Sequence, residues 1–296
     1  FMSSMAVDGI VNYGIGDWCA PFDGPAISVN MSTFKAPVAL TDTACYYRSA
    51  RMLSKMSRVL GLDDPYLARS EEIRAALLRN FVDADTGEVA GACQTSDGCV
   101  AFHHLLKPQE EARLMERLAE RIAQNGWHID YGILGSKYVL NMLGEYGRTD
   151  VIYKMLTRED YPGYLYWVAH GCTTLAECWN LGGSHNHYMF SDVSAVFYRY
   201  FAGIRPDGDI PAYRSFLLAP ALDLAIDTLS CSVESPHGTI FAGWKKDGDT
   251  VTFTAGVPFG TTARLRLPAG VQAPENGAVL GGGRHEFCWK IAQSAG

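Results

Sequence analysis

The residues best suited to chemistry lie in one short segment, positions 171–187. The segment sets four of them around a Gly-Gly turn: Glu177, Trp179, His185 and His187. A carboxylate can activate water, an aromatic ring can stack on a sugar face, and imidazoles can hydrogen-bond to hydroxyls. The pattern therefore favours a site that holds a polyhydroxylated ring and attacks it with water. The alternative is a polar junction between two helices, with structural histidines.

A second polar and aromatic segment, Gly-Asp-Trp, repeats the combination with Asp17 and Trp18. We predict that both residues line the same pocket. The alternative is a buried Asp17 that accepts hydrogen bonds from loop N–H groups beside a core tryptophan. A further loop cluster, Trp127, His128 and Asp130, is a weaker candidate for sugar contact.

Neither a metal nor a cofactor is predicted. His185 and His187 with Glu177 form a His-x-His set on a loop with one carboxylate, which is poor support for a metal site. The eight cysteines lack the Cys-x-x-Cys and Cys/His spacings typical of metal ligands. We expect reduced thiols, because a chain of this length does not need disulfides to fold.

Composition excludes several classes of partner. Apolar residues make up 48% of the 296 residues and charged residues 19%, as in soluble globular proteins. The net charge of −7 disfavours nucleic acid, which binds basic grooves. No apolar run reaches the roughly 18 to 20 residues of a membrane span, so no membrane partner is expected. The first residues do not resemble a signal peptide, which leaves the cytoplasm and the periplasm both open.

Periodic apolar positions predict a helical first half. Helices are predicted at residues 37–60, 66–81, 108–125, 132–146, 151–156 and 189–201, joined by loops at 83–99, 161–171 and 181–186. Asp42 is interpreted as a helix cap, and His103 and His104 as structural. Tyr164, Tyr166 and Trp167 either line the cleft or pack in the core. Paired helices with aromatic loops between them suggest part of an (α/α)6 toroid.

Short alternating strands replace the helical pattern after residue 210. Strands are predicted at residues 230–234, 239–245, 250–255, 262–267 and 285–289. We therefore predict a helical domain over residues 1–210 and a small antiparallel β-sandwich over 211–296. The helices are too few to close a twelve-helix toroid, and an open toroid would expose apolar flanks. We expect this chain to be a piece of a longer protein, or to self-associate through that flank.

In order and spacing, the motifs resemble the catalytic region of the α-L-rhamnosidases, glycoside hydrolase family 78. The similar segments are Tyr-Gly-Ile-Gly-Asp-Trp at 13–18, Asn-Gly-Trp-His at 125–128, Gly-Ile-Leu-Gly at 132–135, Tyr-Pro-Gly-Tyr at 161–164, residues 171–179, residues 184–190 and Ala-Gly-Ile-Arg-Pro at 202–206. The strand-rich tail adds His-Gly-Thr-Ile at 237–240 and Trp244, and the order and spacing of the motifs hold over most of residues 10–268. The resemblance implies an inverting hydrolase of terminal α-L-rhamnosides, without a cofactor.

Inversion needs a general acid and a general base roughly 6.5–9.5 Å apart, with room for a water between them. The resemblance implies that Glu177 is the base, that His187 contacts the sugar, and that Trp18 and Trp179 are pocket aromatics. The family's general acid lies in an Asp-Glu-Arg segment, which does not occur in this sequence. We therefore expect the acid to lie outside these 296 residues and this chain alone to show little or no hydrolysis.

Two other functions remain open. A non-catalytic sugar-binding protein would retain the cleft without the acid. A toroidal glycosidase for uronic acids would need cationic side chains in its pocket, and the motif loops contain almost none. The expected ligand in the favoured hypothesis is a rhamnose-containing glycoside or oligosaccharide.

Overall fold

A computed structural model describes residues 1–22 and 34–291 of the chain. The chain divides into two compact units, Phe1–Tyr146 with Lys154–Asp192, and Gly147–Tyr153 with Val193–Gly296. The first unit is helical, and the second contains two β-sheets. The predicted class, mainly helical with a small β-sandwich, is thus confirmed. The units differ from the predicted ranges 1–210 and 211–296, because the second unit takes in residues 147–153 and begins again at Val193.

Nine α-helices and one π-helical turn occur in the described part of the chain. They are α1 (Met2–Met5), α2 (Val38–Leu60), α3 (Tyr66–Phe81), α4 (Gln94–Phe102), α5 (Pro108–Gln124), α6 (Ile133–Glu145), α7 (Thr149–Leu156), α8 (Tyr164–Ala169), α9 (Asp192–Val196) and the π-turn Phe197–Phe201. Helix α2 packs against α3, and α4 packs against α5 and α6.

Local sequence accounts for the long amphipathic helices. Helix α5 begins with Pro108, which needs no N–H partner there, and the side chain of Glu110 accepts a hydrogen bond from the N–H of Lys107. Its buried positions recur at helical spacing through Leu114, Leu118 and Ile122. These signals placed α2, α3, α5 and α6 correctly to within two residues.

Two helices lie where loops were predicted. Helix α4 begins inside the predicted loop 83–99, and α8 lies inside the predicted loop 161–171. Residues 94–101 of α4 are all buried, since α2, α5 and α6 surround them. A helix buried on every side shows no amphipathic period, and its small polar residues resemble a loop.

The predicted cap and the last predicted helix need correction. Helix α2 begins at Val38 after Pro37, so Asp42 lies inside it. The Asp42 carboxylate instead accepts hydrogen bonds from the N–H groups of Tyr13 and Gly14, and so holds that loop. The predicted helix 189–201 is the short α9 followed by the π-turn.

Within residues 193–291 of the second unit, which the structure describes, nine strands form two sheets. They are β1 (Ile204–Pro206), β2 (Ser215–Leu218), β3 (Thr228–Ser235), β4 (Gly238–Asp247), β5 (Thr250–Val257), β6 (Thr262–Leu265), β7 (Val271–Gln272), β8 (Val279–Leu280) and β9 (Gly283–Ile291). The sheet orders are β1-β2-β6-β8 and β3-β4-β5-β9-β7. All pairings are antiparallel except β2 with β6, which is parallel.

Side chains from both sheets share one apolar core. Phe216 and Leu218 come from the smaller sheet, and Trp244, Phe253 and Trp289 come from the larger one. Buried and less buried residues alternate along β5, as expected for a strand with one face on a core. Because one face of each strand packs on this core, apolar residues alternate along the strand, and that alternation predicted β3, β4, β5 and β9 from sequence.

Two further observations concern the whole described chain. None of the described helices is both long and apolar enough to cross a membrane. All eight cysteines are free of disulfide bonds.

His103, at the C-terminal end of α4, is a buried histidine whose two ring nitrogens have no hydrogen-bond partner among the described residues. Its ring contacts Phe102 and Tyr138. Burial, with the positive charge of Arg48 nearby, lowers the pKa of His103 to about 3. The side chain is therefore neutral in the folded protein at neutral and mildly acidic pH.

This burial predicts a loss of stability in mild acid. Between pH 6.5 and pH 3 the unfolded chain protonates this histidine and the folded chain does not, so stability falls as pH falls. From pH 7 to pH 5 the free energy of unfolding should drop by about 2 kcal/mol through His103 alone. In His103→Phe, which keeps the ring packing, that part of the decrease should vanish in urea unfolding followed by helical circular dichroism. The exposed-site control His170→Gln should keep the wild-type decrease; an equal decrease in His103→Phe would contradict the assignment.

Candidate active site

Glu177 lies in a loop that is held by its own backbone. The N–H of Glu177 donates to the carbonyl of Ser184 at 2.8 Å, and the N–H of His187 donates to the carbonyl of Leu175 at 2.9 Å. The hydroxyl of Thr174 donates to the carbonyl of His185. These bonds bring the two ends of the loop together around Gly182 and Gly183, where the sequence predicted a Gly-Gly turn.

The Glu177 side chain is half-buried and fixed by one bond. Its Oε2 atom accepts a hydrogen bond from the N–H of Ser184 at 2.8 Å. Its Oε1 atom has no hydrogen-bond partner within the part of the chain that the structure describes. Gly183 has a φ of +75°, and a Cβ there would lie 2.5 Å from Glu177 Oε2. The loop thus orients one carboxylate oxygen and leaves the other available to a water molecule.

The two histidines of the loop have different settings. His185 is exposed, and its Nε2 donates to the carbonyl of Leu181 at 2.9 Å. His187 is half-buried, and its Nδ1 accepts from the N–H of Met189 at 3.3 Å, which leaves Nε2 to carry the proton and donate. Tyr188, beside it, is 82% exposed and stacks near the His187 ring. His187 and Tyr188 therefore present a donor and an aromatic face on one loop.

Trp179 does not reach the surface. Its side chain is 1% exposed and stacks on Trp167, with ring centroids 4.6 Å apart and planes 17° apart. The indole N–H of Trp179 donates to the carbonyl of Tyr131, and that of Trp167 donates to the carbonyl of Trp179. The described structure leaves no face of this ring open, and direct sugar contact by Trp179 stays a prediction. Through these buried contacts Trp179 supports the Glu177 loop.

Asp17 is also buried. Its carboxylate accepts four hydrogen bonds, from the Thr95 hydroxyl and the N–H groups of Gly132, Leu134 and Gly135, at 2.5–2.9 Å. Burial raises the pKa of Asp17, and the four hydrogen bonds oppose that rise. With both oxygens occupied, Asp17 has no free atom for a ligand. The observed setting is that of the alternative, a buried carboxylate that accepts hydrogen bonds from loop N–H groups, and sugar contact by Asp17 stays a prediction.

The structure brings Trp18 next to the Glu177 loop. The carbonyl of Trp18 accepts from the N–H of Ile133 at 2.9 Å, and its side chain is partly exposed. The following residue, Cys19, has its Sγ atom 3.5 Å from Sγ of Cys178. Neither cysteine was singled out in the sequence, because spacing does not show a pair 159 residues apart.

Trp127 and His128 make their contacts elsewhere in the helical unit. The Lys154 ammonium lies 4.2 Å from the Trp127 ring centroid, so one face of the ring is occupied. His128 bonds to the Asp160 carboxylate at 3.0 Å and to the carbonyl of Asn125 at 2.9 Å. Both rings already have structural partners, and sugar contact by them stays a prediction.

Sequence reasoning missed Thr95 and Tyr188. Thr95 was hidden because its helix resembled a loop. Tyr188 stood inside a quoted motif, but nothing in the spacing distinguishes an exposed tyrosine from a packed one. The described residues contain no group of three or more His, Cys, Asp or Glu side chains placed to hold a metal ion.

The sequence model of the bacterial alpha-L-rhamnosidase 6 hairpin glycosidase domain matches residues 3–201, which is 199 of the 296 residues. The chain belongs to the bacterial α-L-rhamnosidase family. The family's C-terminal domain matches residues 203–278. The resemblance found in the motifs is confirmed, and so is the six-hairpin helical fold followed by a sandwich.

Two similar curated proteins are named α-L-rhamnosidases. An α-L-rhamnosidase of Streptomyces avermitilis is 29% identical over 300 residues, covering 93% of this chain and 28% of that protein. One of Alteromonas sp. (strain LOR) is 26% identical over 272 residues, covering 86% of this chain and 29% of that protein. The chain therefore spans under a third of the length of these relatives.

Solved rhamnosidase structures share the fold. The crystal structure of Streptomyces avermitilis α-L-rhamnosidase complexed with L-rhamnose superposes with a TM-score of 0.83 at 26% identity, covering 97% of this chain and 29% of that chain. The α-L-rhamnosidase from Dictyoglumus thermophilum has a TM-score of 0.83 at 24% identity and covers 98% of this chain and 36% of that chain. Both units are thus found in known rhamnosidases.

The buried carboxylate gives a prediction about stability. Asp17→Asn leaves one acceptor oxygen for four donors and turns an amide NH₂ toward some of them. We expect the free energy of unfolding to fall by at least about 2 kcal/mol in urea unfolding followed by helical circular dichroism. Asp63→Asn, at an exposed loop position, is the matched control and should change it by less than about 0.5 kcal/mol. Equal stability of the two variants would argue against the structural role.

Proposed function

We propose that this chain forms the general-base side of an α-L-rhamnosidase active site, with Glu177 as the base. In this proposal the substrate is a terminal α-L-rhamnoside, and hydrolysis proceeds with inversion. The observation that carries the proposal is the fixed Glu177 carboxylate: Oε2 is tied to the Ser184 N–H and Oε1 is left for water. Membership of the family and the relatives' common name support the substrate class.

A base must be aimed as well as basic. The Ser184 bond removes one rotational freedom of the carboxylate, and the backbone bonds at residues 177 and 187 hold the loop that carries it. A water bound to Oε1 would lose its proton to Glu177 while it attacks the anomeric carbon. Proton removal and formation of the new C–O bond then take place at one fixed position, which lowers the entropic cost of ordering the water.

Sugar contacts are assigned to groups that reach solvent on or beside this loop. His187 offers Nε2–H to a hydroxyl, and the partly exposed Trp18 and the exposed Tyr188 offer aromatic faces to the apolar side of the ring. His185 is exposed but its Nε2 proton is already donated to Leu181, so its part in the site is smaller.

The general acid is assigned to chain outside these 296 residues. Inversion needs a second carboxyl group across the scissile bond. Asp17 is a second carboxyl group near this loop, since its charge and that of Glu177 both raise the pKa of Cys19. Its oxygens, however, accept hydrogen bonds from four donors. It cannot donate a proton to a leaving group from that position. Self-association through an exposed flank of the helical unit stays a prediction.

The base assignment predicts a specific loss of activity. In a protein that carries this chain together with the family's acid segment, Glu177→Gln should lower kcat on an aryl α-L-rhamnoside by about 10²- to 10⁴-fold. KM should change little, because the amide keeps the Ser184 hydrogen bond and the shape of the pocket. The exposed Glu159→Gln is the matched control and should retain activity.

Three outcomes separate the hypotheses. Near-normal hydrolysis by Glu177→Gln would remove Glu177 from the mechanism. Strong hydrolysis by the 296-residue chain alone would place the acid within it. Binding of L-rhamnose without hydrolysis, even with the acid segment present, would favour the non-catalytic sugar-binding protein.

A pair of glycines tests whether the loop aims the carboxylate. Gly183 and Gly171 both have φ near +80°, so alanine strains the backbone similarly at each. Only at Gly183 would the added Cβ lie 2.5 Å from Glu177 Oε2, while at Gly171 it would meet nothing within 4 Å. Gly183→Ala should therefore lower kcat by on the order of tenfold or more, and Gly171→Ala should not. Equal kcat values in the two variants would mean that the position of Glu177 does not depend on Gly183.

A further inference from the structure

Cys19 and Cys178 form a preassembled thiol pair. Their Sγ atoms are 3.5 Å apart, although the residues are 159 positions apart in sequence. Both are buried, at 2% and 5% exposure. A disulfide bond requires the sulfurs to approach to about 2.05 Å. The pair is therefore about 1.5 Å from bonding distance, which side-chain rotation and a small backbone shift can supply.

The backbone on each side of the pair is anchored. Cys19 follows Asp17 and Trp18, whose carboxylate and carbonyl are bonded to the start of α6. Cys178 lies between Glu177 and Trp179, which are held by the Ser184 and Tyr131 bonds. The two sulfurs thus remain neighbours in the folded protein. Two other thiols face hydroxyl groups: Cys93 bonds to Ser96, and Cys45 to Tyr138.

The two thiols of the pair have different chemistry. The hydrogen bond from the Cys19 thiol lowers the pKa of Cys178. The same contact, followed by burial and the nearby charges of Glu177 and Asp17, raises the pKa of Cys19. Cys178 is accordingly the better nucleophile, and Cys19 is a thiol placed to react with it.

We propose that Cys19 and Cys178 are a reversible oxidation site, which closes to a disulfide on reaction with hydroperoxides and so displaces the Glu177 loop. The Cys178 sulfur attacks one peroxide oxygen, the O–O bond breaks, and the leaving hydroxide takes up the Cys178 proton as water. This leaves a sulfenic acid on Cys178. The Cys19 sulfur then attacks the Cys178 sulfur, forming the S–S bond and releasing a second water. One hydrogen peroxide is reduced for each disulfide formed, and a small thiol reverses the reaction by exchange.

The effect on the loop rests on the proposed function of Glu177. Closing the pair moves Cys178 toward Cys19, and the neighbouring Glu177 moves with the same backbone. Because placement errors of about 1 Å can cost up to about a hundredfold in rate, hydrolysis should fall on oxidation by on the order of tenfold or more. It should recover when dithiothreitol reduces the disulfide.

Disulfide formation is tested first, without reference to activity. The protein is treated with hydrogen peroxide, free thiols are alkylated, and linked peptides are mapped by mass spectrometry. We expect a Cys19–Cys178 linkage that dithiothreitol removes. It should persist in Cys172→Ser, which lacks the half-exposed thiol of the same loop, and be absent from Cys178→Ser. Because the wild-type map needs no variant, misfolding of a variant leaves the test intact. Irreversible oxidation of Cys178 without a linkage, or linkage to another cysteine, would overturn the proposal.

Activity is then compared between oxidised and reduced samples of each protein that carries the acid segment. We expect a fall with recovery in wild type and Cys172→Ser, and no peroxide response in Cys19→Ser, judged by the ratio within each variant. A linkage that forms without any loss of hydrolysis would overturn displacement of the loop. If no sample hydrolyses the substrate, the proposed function fails, while the peptide map still decides whether the thiol pair is an oxidation site.

Discussion

One buried carboxylate, that of Asp17, joins three parts of the helical unit that are far apart in sequence. Its oxygens accept from Thr95 on α4 and from three N–H groups at the beginning of α6. The first N–H groups of a helix lack partners inside it, and a negative charge suits that end of the helix dipole. Asp17 therefore caps α6 from more than a hundred residues away. The position of Trp18 and Cys19, and so of everything they contact, follows from this cap.

The Glu177 loop rests on that arrangement from the other side. Trp179 bonds to the carbonyl of Tyr131, just before α6 begins, and stacks on Trp167. The Glu177 loop and the Asp17 segment are thus both held by hydrogen bonds to residues at or just before the start of α6. Ligand pockets are commonly apolar with a few placed polar groups; in the proposed site the buried aromatics would be the apolar part, and Glu177 and His187 the polar groups.

Sequence patterns located the elements that have one face in water. Helices α2, α3 and α5 and strands β3 to β5 were predicted because burial on one side imposes a period on the residues. Helix α4 was not predicted, because other helices surround it and it has no exposed face. The same difference separates the site residues. Glu177 and His187 were correctly placed on one loop, but nothing in one sequence shows whether Asp17 or Trp179 points to solvent or into the core. That depends on contacts with residues 115 and 48 positions away.

Two main-chain hydrogen bonds close the Glu177 loop, from the N–H of Glu177 to the carbonyl of Ser184 and from the N–H of His187 to the carbonyl of Leu175. Main-chain bonds survive most side-chain replacements. Thr173, Asn186 and Tyr188 are exposed on this loop, outside the set of side chains that hold it. Replacing these three side chains would therefore leave both main-chain bonds in place, and under the proposed function it would change contacts with the substrate while Glu177 keeps its position. In this loop the support of the carboxylate and the exposed contact surface are thus carried by different atoms, the main chain and the side chains.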